Sequence, residues 1–302
     1  MSLLIVGSMA FDSIRTPFGT AERVLGGSAT YAGLAASYFT DVSLVAVVGE
    51  DFGDEHFRPF YEKGIDVTAV QRVAGKSFFW AGEYSQNLNE RRTLVTELNV
   101  FADFRPQVGI DQRNMPYVFL GNIDPELQNH VLDQVNGPRL VALDTMNFWI
   151  ESRPRELAQV LQRVDVLLIN EEEARMLADE YNIIRASRWI AGLGPQIVIV
   201  KRGEYGALVY MGDDYFITPA FPLQELADPT GAGDCFAGGL MGYLAGVGRF
   251  STAEMRRAVL YGTVMASFSV ERFSVERIRE LTLPEIRERY NHFRSMIHVE
   301  DT

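Results

Sequence analysis

A three-layer α/β/α fold, with a mostly parallel central sheet and a small inserted β lid, is the class this sequence predicts. Three observations predict it. Short apolar runs alternate with amphipathic runs of helical length along most of the chain, the pattern of strands buried on both faces between layers of helix. The apolar runs lead into Gly, Asn or Asp, residues that end a strand and open a helix. Residues 77–101 interrupt the alternation with two β-patterned stretches, which βα repeats alone do not produce.

In chain order, residues 3–7 are an apolar run ending in Gly7, read as the first buried strand. Residues 9–20 add a strand to the lid, and residues 43–48 are a second buried strand. Within 77–101, two strands flank Asn87-Leu88-Asn89-Glu90. Phe78, Phe79, Trp80 and Tyr84 fall so close together that both faces of this small sheet are apolar. Such a sheet either packs on its own core domain or serves as an apolar lid over a site, with a dimer contact as a further use. Residues 117–120, 140–143, 166–169 and 197–200 are four further buried strands. Residues 206–210 and 215–218 around Gly212-Asp213 read as a hairpin. From Thr230 to about His298 the pattern is mostly helical. No tandem repeat or low-complexity linker divides the chain, so residues 1–302 are expected to form one domain with the lid inserted at about 9–20 and 77–101.

Composition narrows the function classes. Apolar content of 47% and charged content of 23% are those of an ordinary globular protein. A net charge of −12, with the acids scattered, argues against nucleic acid or an anionic membrane as partner. Cys235 is the single cysteine, which excludes an intrachain disulfide and points to a reducing compartment. Without a basic leader or a charge-free run of about 18 apolar residues, the chain is expected in the cytoplasm.

The chemistry concentrates in Asp228-Pro229-Thr230-Gly231-Ala232-Gly233-Asp234, followed at once by an apolar helix pattern from Cys235 to Val247. Thr230 stands where an N-cap hydroxyl belongs. The first N–H groups of a helix lack internal partners and carry partial positive charge, and small residues let an anion approach them. Asp234 is then fixed beside that anion. Amides that hold migrating charge next to a carboxylate that takes a hydroxyl proton suit phosphoryl transfer. Cys235 reads as a buried small side chain, because a neighbouring carboxylate disfavours thiolate.

Other segments supply candidate ligands. Gly26-Gly27 opens a helix pattern rich in small residues and permits close backbone approach. Asp12 lies in the loop region after the first strand, where an ionised carboxylate can accept from two vicinal hydroxyls. Asn122, Asp144 and Asn147 follow strands at the end where ligands collect in open sheets, and are substrate or metal-shell candidates. Asn170-Glu171-Glu172-Glu173 opens a helix after the fifth strand, and Lys201-Arg202-Gly203 follows the sixth. Ala258, Gly262 and Ala266 form a small-residue stripe suited to close helix packing. Gly75-Lys76-Ser77 lacks the first glycine of a P-loop, Gly7-Ser8-Met9 lacks the glycines of a dinucleotide-binding loop, and the four histidines make no zinc motif.

Residues 228–239 resemble the C-terminal signature of the ribokinase-like (PfkB) carbohydrate kinases, with Pro229 where Thr is common. The resemblance implies a ribokinase-like fold and an ATP-dependent kinase acting on a hydroxyl of a sugar or related small polyol. It implies Asp234 as general base, Gly231, Ala232 and Gly233 as anion hole, and Asp12, Gly26 and Gly27 at the acceptor. It also implies Asn170 and Glu173 at Mg²⁺ largely through water, Lys201, Gly203 and Thr230 toward the nucleotide, and a monovalent cation such as K⁺ near 228–230. Tyr31 departs from the pattern, since many sugar kinases carry there an Asn that contacts a substrate hydroxyl. That departure keeps a nucleoside kinase open as an alternative, with Tyr31, Phe78, Phe79 and Trp80 able to stack on a base. A non-catalytic ligand sensor on the same fold is the alternative from another class.

Overall fold

The computed structural model describes residues 1–212 and 214–299. Its strands are β1 (Ser2–Val6), β2 (Ala10–Thr16), β3 (Gly19–Gly26), β4 (Asp41–Val48), β5 (Asp66–Arg72), β6 (Phe78–Tyr84), β7 (Arg91–Glu97), β8 (Tyr117–Leu120), β9 (Leu140–Asp144), β10 (Val166–Asn170), β11 (Ile197–Lys201), β12 (Ala207–Met211) and β13 (Asp214–Thr218). Its helices are α1 (Ser28–Ala36), α2 (Asp54–Glu62), α3 (Pro125–Leu132), α4 (Asn147–Ser152), α5 (Pro154–Leu161), α6 (Glu171–Ala178), α7 (Ile183–Ala191), α8 (Ala232–Val247), α9 (Thr252–Ser269), α10 (Glu276–Glu280) and α11 (Leu283–Ile297).

Nine strands form the central sheet in the order β13-β12-β11-β10-β9-β8-β1-β4-β5. All neighbours from β11 to β5 pair parallel, and β12 and β13 close one edge antiparallel. The apolar runs lack alternation because each strand feeds two cores. Leu3 and Ile5 pack with Leu34, Leu240 and Met265 from α1, α8 and α9. Leu4 and Val6 pack with Val131, Leu157 and Ile190 from α3, α5 and α7 on the other face. Burying both faces removes the polar side of the pattern.

β1 lies between β4 and β8, so the chain leaves it on one side and later resumes on the other. The connections diverge there, and a crevice opens at the C-terminal strand ends. The second sheet, ordered β3-β2-β6-β7, is the lid.

Three local expectations change. The lid segment runs past residue 20 to Gly26 and holds two strands, β2 and β3, because Pro17 and Phe18 turn the chain after Thr16. Gly26 therefore ends a lid strand directly before α1. β5 was not expected, since its half-polar sequence fits an edge strand with little full burial. The N-cap of α8 is Gly231 in the left-handed region (φ 75°), with no side-chain cap, so Thr230 does not cap the helix. The hairpin forms as β12–β13, while its turn residue Asp213 lies outside the described residues. Among the described residues no helix is long and apolar enough to cross a membrane.

Candidate active site

The site assembles where three kinds of chain end meet: the C-termini of β9, β10 and β11, the N-terminus of α8, and the inner face of the lid. Ala232 N–H turns back to the Pro229 carbonyl at 3.2 Å, and Cys235 N–H reaches the Gly231 carbonyl at 2.8 Å. Among the described residues the N–H groups of Gly231, Gly233 and Asp234 have no backbone acceptor outside the helix ladder. The left-handed turn at Gly231 aims this end of the helix. Tyr31 closes in on it, and a Cβ at Gly231 would stand 2.4 Å from Tyr31 Cγ.

Asp234 sits in the first turn, half-buried. Burial raises its pKa to about 7, Asp144 adds to the rise, and Lys201 and Arg91 oppose it. Lys201 ends β11 and reaches both oxygens of Asp144, at 3.0 and 3.1 Å. Its Nζ also lies 3.1 Å from where a Gly233 Cβ would be, so the ammonium lies against the α8 turn. Burial works against that charge, but Asp144, Glu173 and Asp234 outweigh it and hold Lys201 above its ordinary value.

Glu173 and Asn170 form a reciprocal capping box. Asn170 Oδ1 accepts from Glu173 N–H at 2.8 Å, and Glu173 Oε2 accepts from Asn170 N–H at 2.9 Å. Glu173 is buried, which raises its pKa to about 7 despite Lys201 nearby. Glu171 pairs outward with Arg175 and Arg202.

Asp12 lies 4% exposed on β2, with its carboxylate directly over Gly26. A Cβ at Gly26 would meet Asp12 Oδ2 at 2.0 Å, so only glycine leaves room for the acid. Burial, then Asp228 and Asp234, raise the Asp12 pKa to about 8, and Arg91 opposes. Asp228 is fully buried, raised by that burial, and accepts from Thr230 N–H at 2.8 Å and Ser274 N–H at 3.2 Å. Thr230 hydroxyl donates to the Tyr84 hydroxyl at 3.1 Å, tying the lid to the α8 turn.

Asp12, Asp144, Glu173, Lys201, Thr230, Asp234 and the 231–233 turn are thus brought together. Other expected residues stand apart. Asn122 is occupied on both sides, accepting from Trp149 Nε1 at 2.9 Å and donating to Met146 Sδ at 3.1 Å, which is a positioning contact. Asn147 is exposed at the start of α4. Gly203 (φ 54°) faces the lid tip, where a Cβ would meet Asn89 Oδ1 at 2.1 Å. Gly262 packs against the Phe236 carbonyl, as the small-residue stripe suggested.

Sequence reasoning placed Tyr84 only among the lid aromatics, without its contact to the α8 turn, and missed Arg91. They are paired across β6 and β7, and Arg91 bears on Asp12, Glu173 and Asp234. The turn at 87–90 held the signal, because it sets the register that puts Arg91 opposite Tyr84. A cavity of about 650 Å³ lined by Arg188, Gln196, Tyr210 and Phe250 lies at the opposite, N-terminal end of β11 and contains none of these groups.

A helix N-terminus with free amides, an adjoining carboxylate and a buried lysine, all under a lid on an open α/β sheet, defines a phosphotransferase that acts on an alcohol. The particular family follows from the whole chain. The profile of the pfkB family carbohydrate kinases matches residues 2–280. The cytidine kinase of Thermococcus kodakarensis is 31% identical over 258 residues, which cover 82% of this chain and 89% of that protein. The inositol 3-kinase of Arabidopsis thaliana is 24% identical, covering 95% and 78%. The structure of Burkholderia thailandensis nucleoside kinase in complex with inosine aligns with a TM-score of 0.78 at 20% identity, covering 96% and 97% of the two chains. This chain belongs to the pfkB carbohydrate kinase family, with its ribokinase-like fold, and is an ATP-dependent phosphotransferase with an alcohol group as acceptor.

Proposed function

We propose that Asp234 is the general base for transfer of the γ-phosphoryl group of ATP to a hydroxyl of a small polyhydroxylated acceptor. The observation that carries this is the half-buried carboxylate fixed in the first turn of α8, beside amides without protein partners and beside Lys201. The acceptor oxygen forms its bond to the γ-phosphorus as the bond to the ADP oxygen breaks. The acceptor proton passes to Asp234. The N–H groups around Gly231, Ala232 and Gly233 hold the phosphoryl oxygens, the Ala232 amide being the one already engaged with Pro229. Lys201 adds positive charge at the same place.

Asp12, seated on Gly26 with Gly27 behind it, grips the acceptor hydroxyls. Thr230 borders the nucleotide, with Asp144 positioning Lys201. Gly203, at the lid tip, approaches the nucleotide only from the lid side, and Asn122 and Asn147 support the acceptor end from a distance through α4. The donor set fits a hydrated Mg²⁺. Among the described residues there is no cluster of three or more acidic, His or Cys side chains for a direct cage. Glu173 instead keeps Oε1 outside its cap and Asn170 orients it. Held there, a magnesium ion would neutralise charge on the ATP phosphates. Among the described residues the buried Asp228 carboxylate has no basic partner, and it fits a monovalent cation shared with Thr230.

Two acceptor classes divide the relatives. A sugar or cyclitol suits Asp12 alone. A nucleoside is the second reading, favoured by the 31%-identical cytidine kinase and by the aromatic inner face of the lid. Exposed Leu94, Val95 and Leu98 along the lid edge support a homodimer through the lid. The acidic balance supports small-molecule partners without nucleic acid, and the lone buried Cys235 supports a reducing compartment such as the cytoplasm.

The test is an Mg-ATP assay over sugars, inositols and nucleosides with Asp234→Asn as control. An acceptor turned over by the wild type, and at least about 100-fold more slowly by the variant, supports the assignment. Equal turnover removes Asp234 from this role.

A further inference from the structure

We infer that Trp80 is the platform on which an unsaturated ring of the acceptor stacks, so that the acceptor is a nucleoside and not a free sugar or cyclitol. The inference rests on the kinase reading above and names its substrate class.

The lid pairing places Trp80 there. β2 and β6 run parallel with Asp12 in register with Trp80, and in-register neighbours point to the same face of a sheet. Tyr84, four residues further along β6 and so on the same face, is opposite Arg91, and its hydroxyl meets Thr230. The face that carries Asp12 and Trp80 is therefore the one that looks at the α8 turn. A ligand gripped by Asp12 has its remainder within reach of the indole.

Of Phe78, Phe79 and Trp80, only Trp80 is covered by an exposed side chain, the guanidinium of Arg91 lying over its ring, and a base would take that guanidinium's place. Phe78 stacks on Phe101 at 5.4 Å, and Phe79 packs against the main core. The Trp80 benzo ring covers Gly82, where a Cβ would stand 2.2 Å from both Cζ2 and Cη2. Any side chain at residue 82 would push the ring off the sheet. Trp80 Nε1 donates to Thr93 Oγ1 at 3.3 Å, which fixes the indole along the lid. The residue is only part-buried, and Arg91, itself exposed, stands 5.4 Å from the ring centroid. A seated, part-open aromatic ring beside a hydroxyl-gripping carboxylate is the arrangement that a base joined to a sugar requires.

A second observation points to a ligand in the same pocket. Tyr31 is 1% exposed, and among the described residues its hydroxyl has no hydrogen-bond partner. Asp12, Asp228, Cys235 and Tyr84 are the charged and polar groups that act on it. A buried hydroxyl left unpaired at a pocket calls for a polar partner from outside the chain.

The experiment measures ADP formation from Mg-ATP with cytidine, inosine, D-ribose and myo-inositol, for the wild type, Trp80→Ala and Trp80→Phe. The expected result is kcat/KM for at least one nucleoside about 100-fold or more above ribose and inositol. Trp80→Ala then raises the nucleoside KM about 10- to 100-fold, the range of one lost base stack, with kcat within about 3-fold, while Trp80→Phe retains most of the affinity. Should the alanine variant not fold, Trp80→Leu carries the same comparison. Turnover of ribose or inositol at the nucleoside rate, or an unchanged KM in the alanine or leucine variant, overturns the inference and leaves the kinase assignment standing. No ADP from the wild type with any acceptor overturns both.

Discussion

Lys201 spans β10 to hold Asp144. Their strands, β11 and β9, are not neighbours, yet the ammonium lies 3.0 and 3.1 Å from the two carboxylate oxygens. Both side chains are largely buried, at 19% and 7% exposure. Removing one member of such a pair strands the other charge, which costs about 3–5 kcal/mol. Lys201→Met is expected to lose about that much stability in urea unfolding. In combination with Asp144→Leu the total loss is expected to be smaller than the sum of the single losses, because the double variant strands no charge. Additive losses would show that the two groups are not coupled.

The proposed role of Asp234 carries a pH dependence of definite sign. A general base must be ionised, and burial raises this carboxyl to about 7. kcat/KM is expected to fall about tenfold per pH unit below about 7 and to level off above it. Arg91 lowers the Asp234 pKa from the lid, so Arg91→Ala is expected to move the limb to higher pH. A flat profile from pH 6 to 8 would contradict the assignment.

Asp12 links the site to stability. Its pKa is raised to about 8 in the fold, against about 4 in an unfolded chain. The folded state therefore holds the proton more tightly. The stability this contributes is complete below pH 4 and is lost as pH rises toward 8. Asp12→Asn is expected to raise Tm relative to the wild type at pH 8 and to lose that advantage near pH 5, while weakening acceptor binding. Melting curves at the two pH values decide it.

Gly231 is irreplaceable for two independent reasons, its φ of 75° and the Tyr31 ring 2.4 Å from any Cβ there. Gly231→Ala is expected to destabilise by more than about 1 kcal/mol and to lower kcat about tenfold or more by tilting the α8 amides. Unfolding and turnover measured on one preparation test both.

Much of the fold was legible because burial leaves a plain mark. Strands covered on both faces must be apolar throughout, and residues 3–7, 117–120 and 166–169 are. β5 escaped because an edge strand buries little, and its polar residues hide the signal. Within the site, Asp228–Asp234 was visible because a helix that opens on small residues and an acid has few structural uses. Tyr84 and Arg91 were not, since the 87–90 turn pairs them across the hairpin but does not show that they face a turn 146 residues on from Tyr84.

The sequence by itself determined the α/β class, the lid insertion and the motif at the start of α8. Each depends on local periodicity or on a short run of residues, whose physics acts within a few positions. The tertiary structure alone decided which polar groups meet. It brought Lys201 to Asp144 across an intervening strand, set Asp12 on Gly26 and turned Trp80 to the same face, while Asn122 was drawn into contacts with Trp149 and Met146. Such pairings follow from strand order and register, which the packing of the whole chain fixes and no single segment encodes.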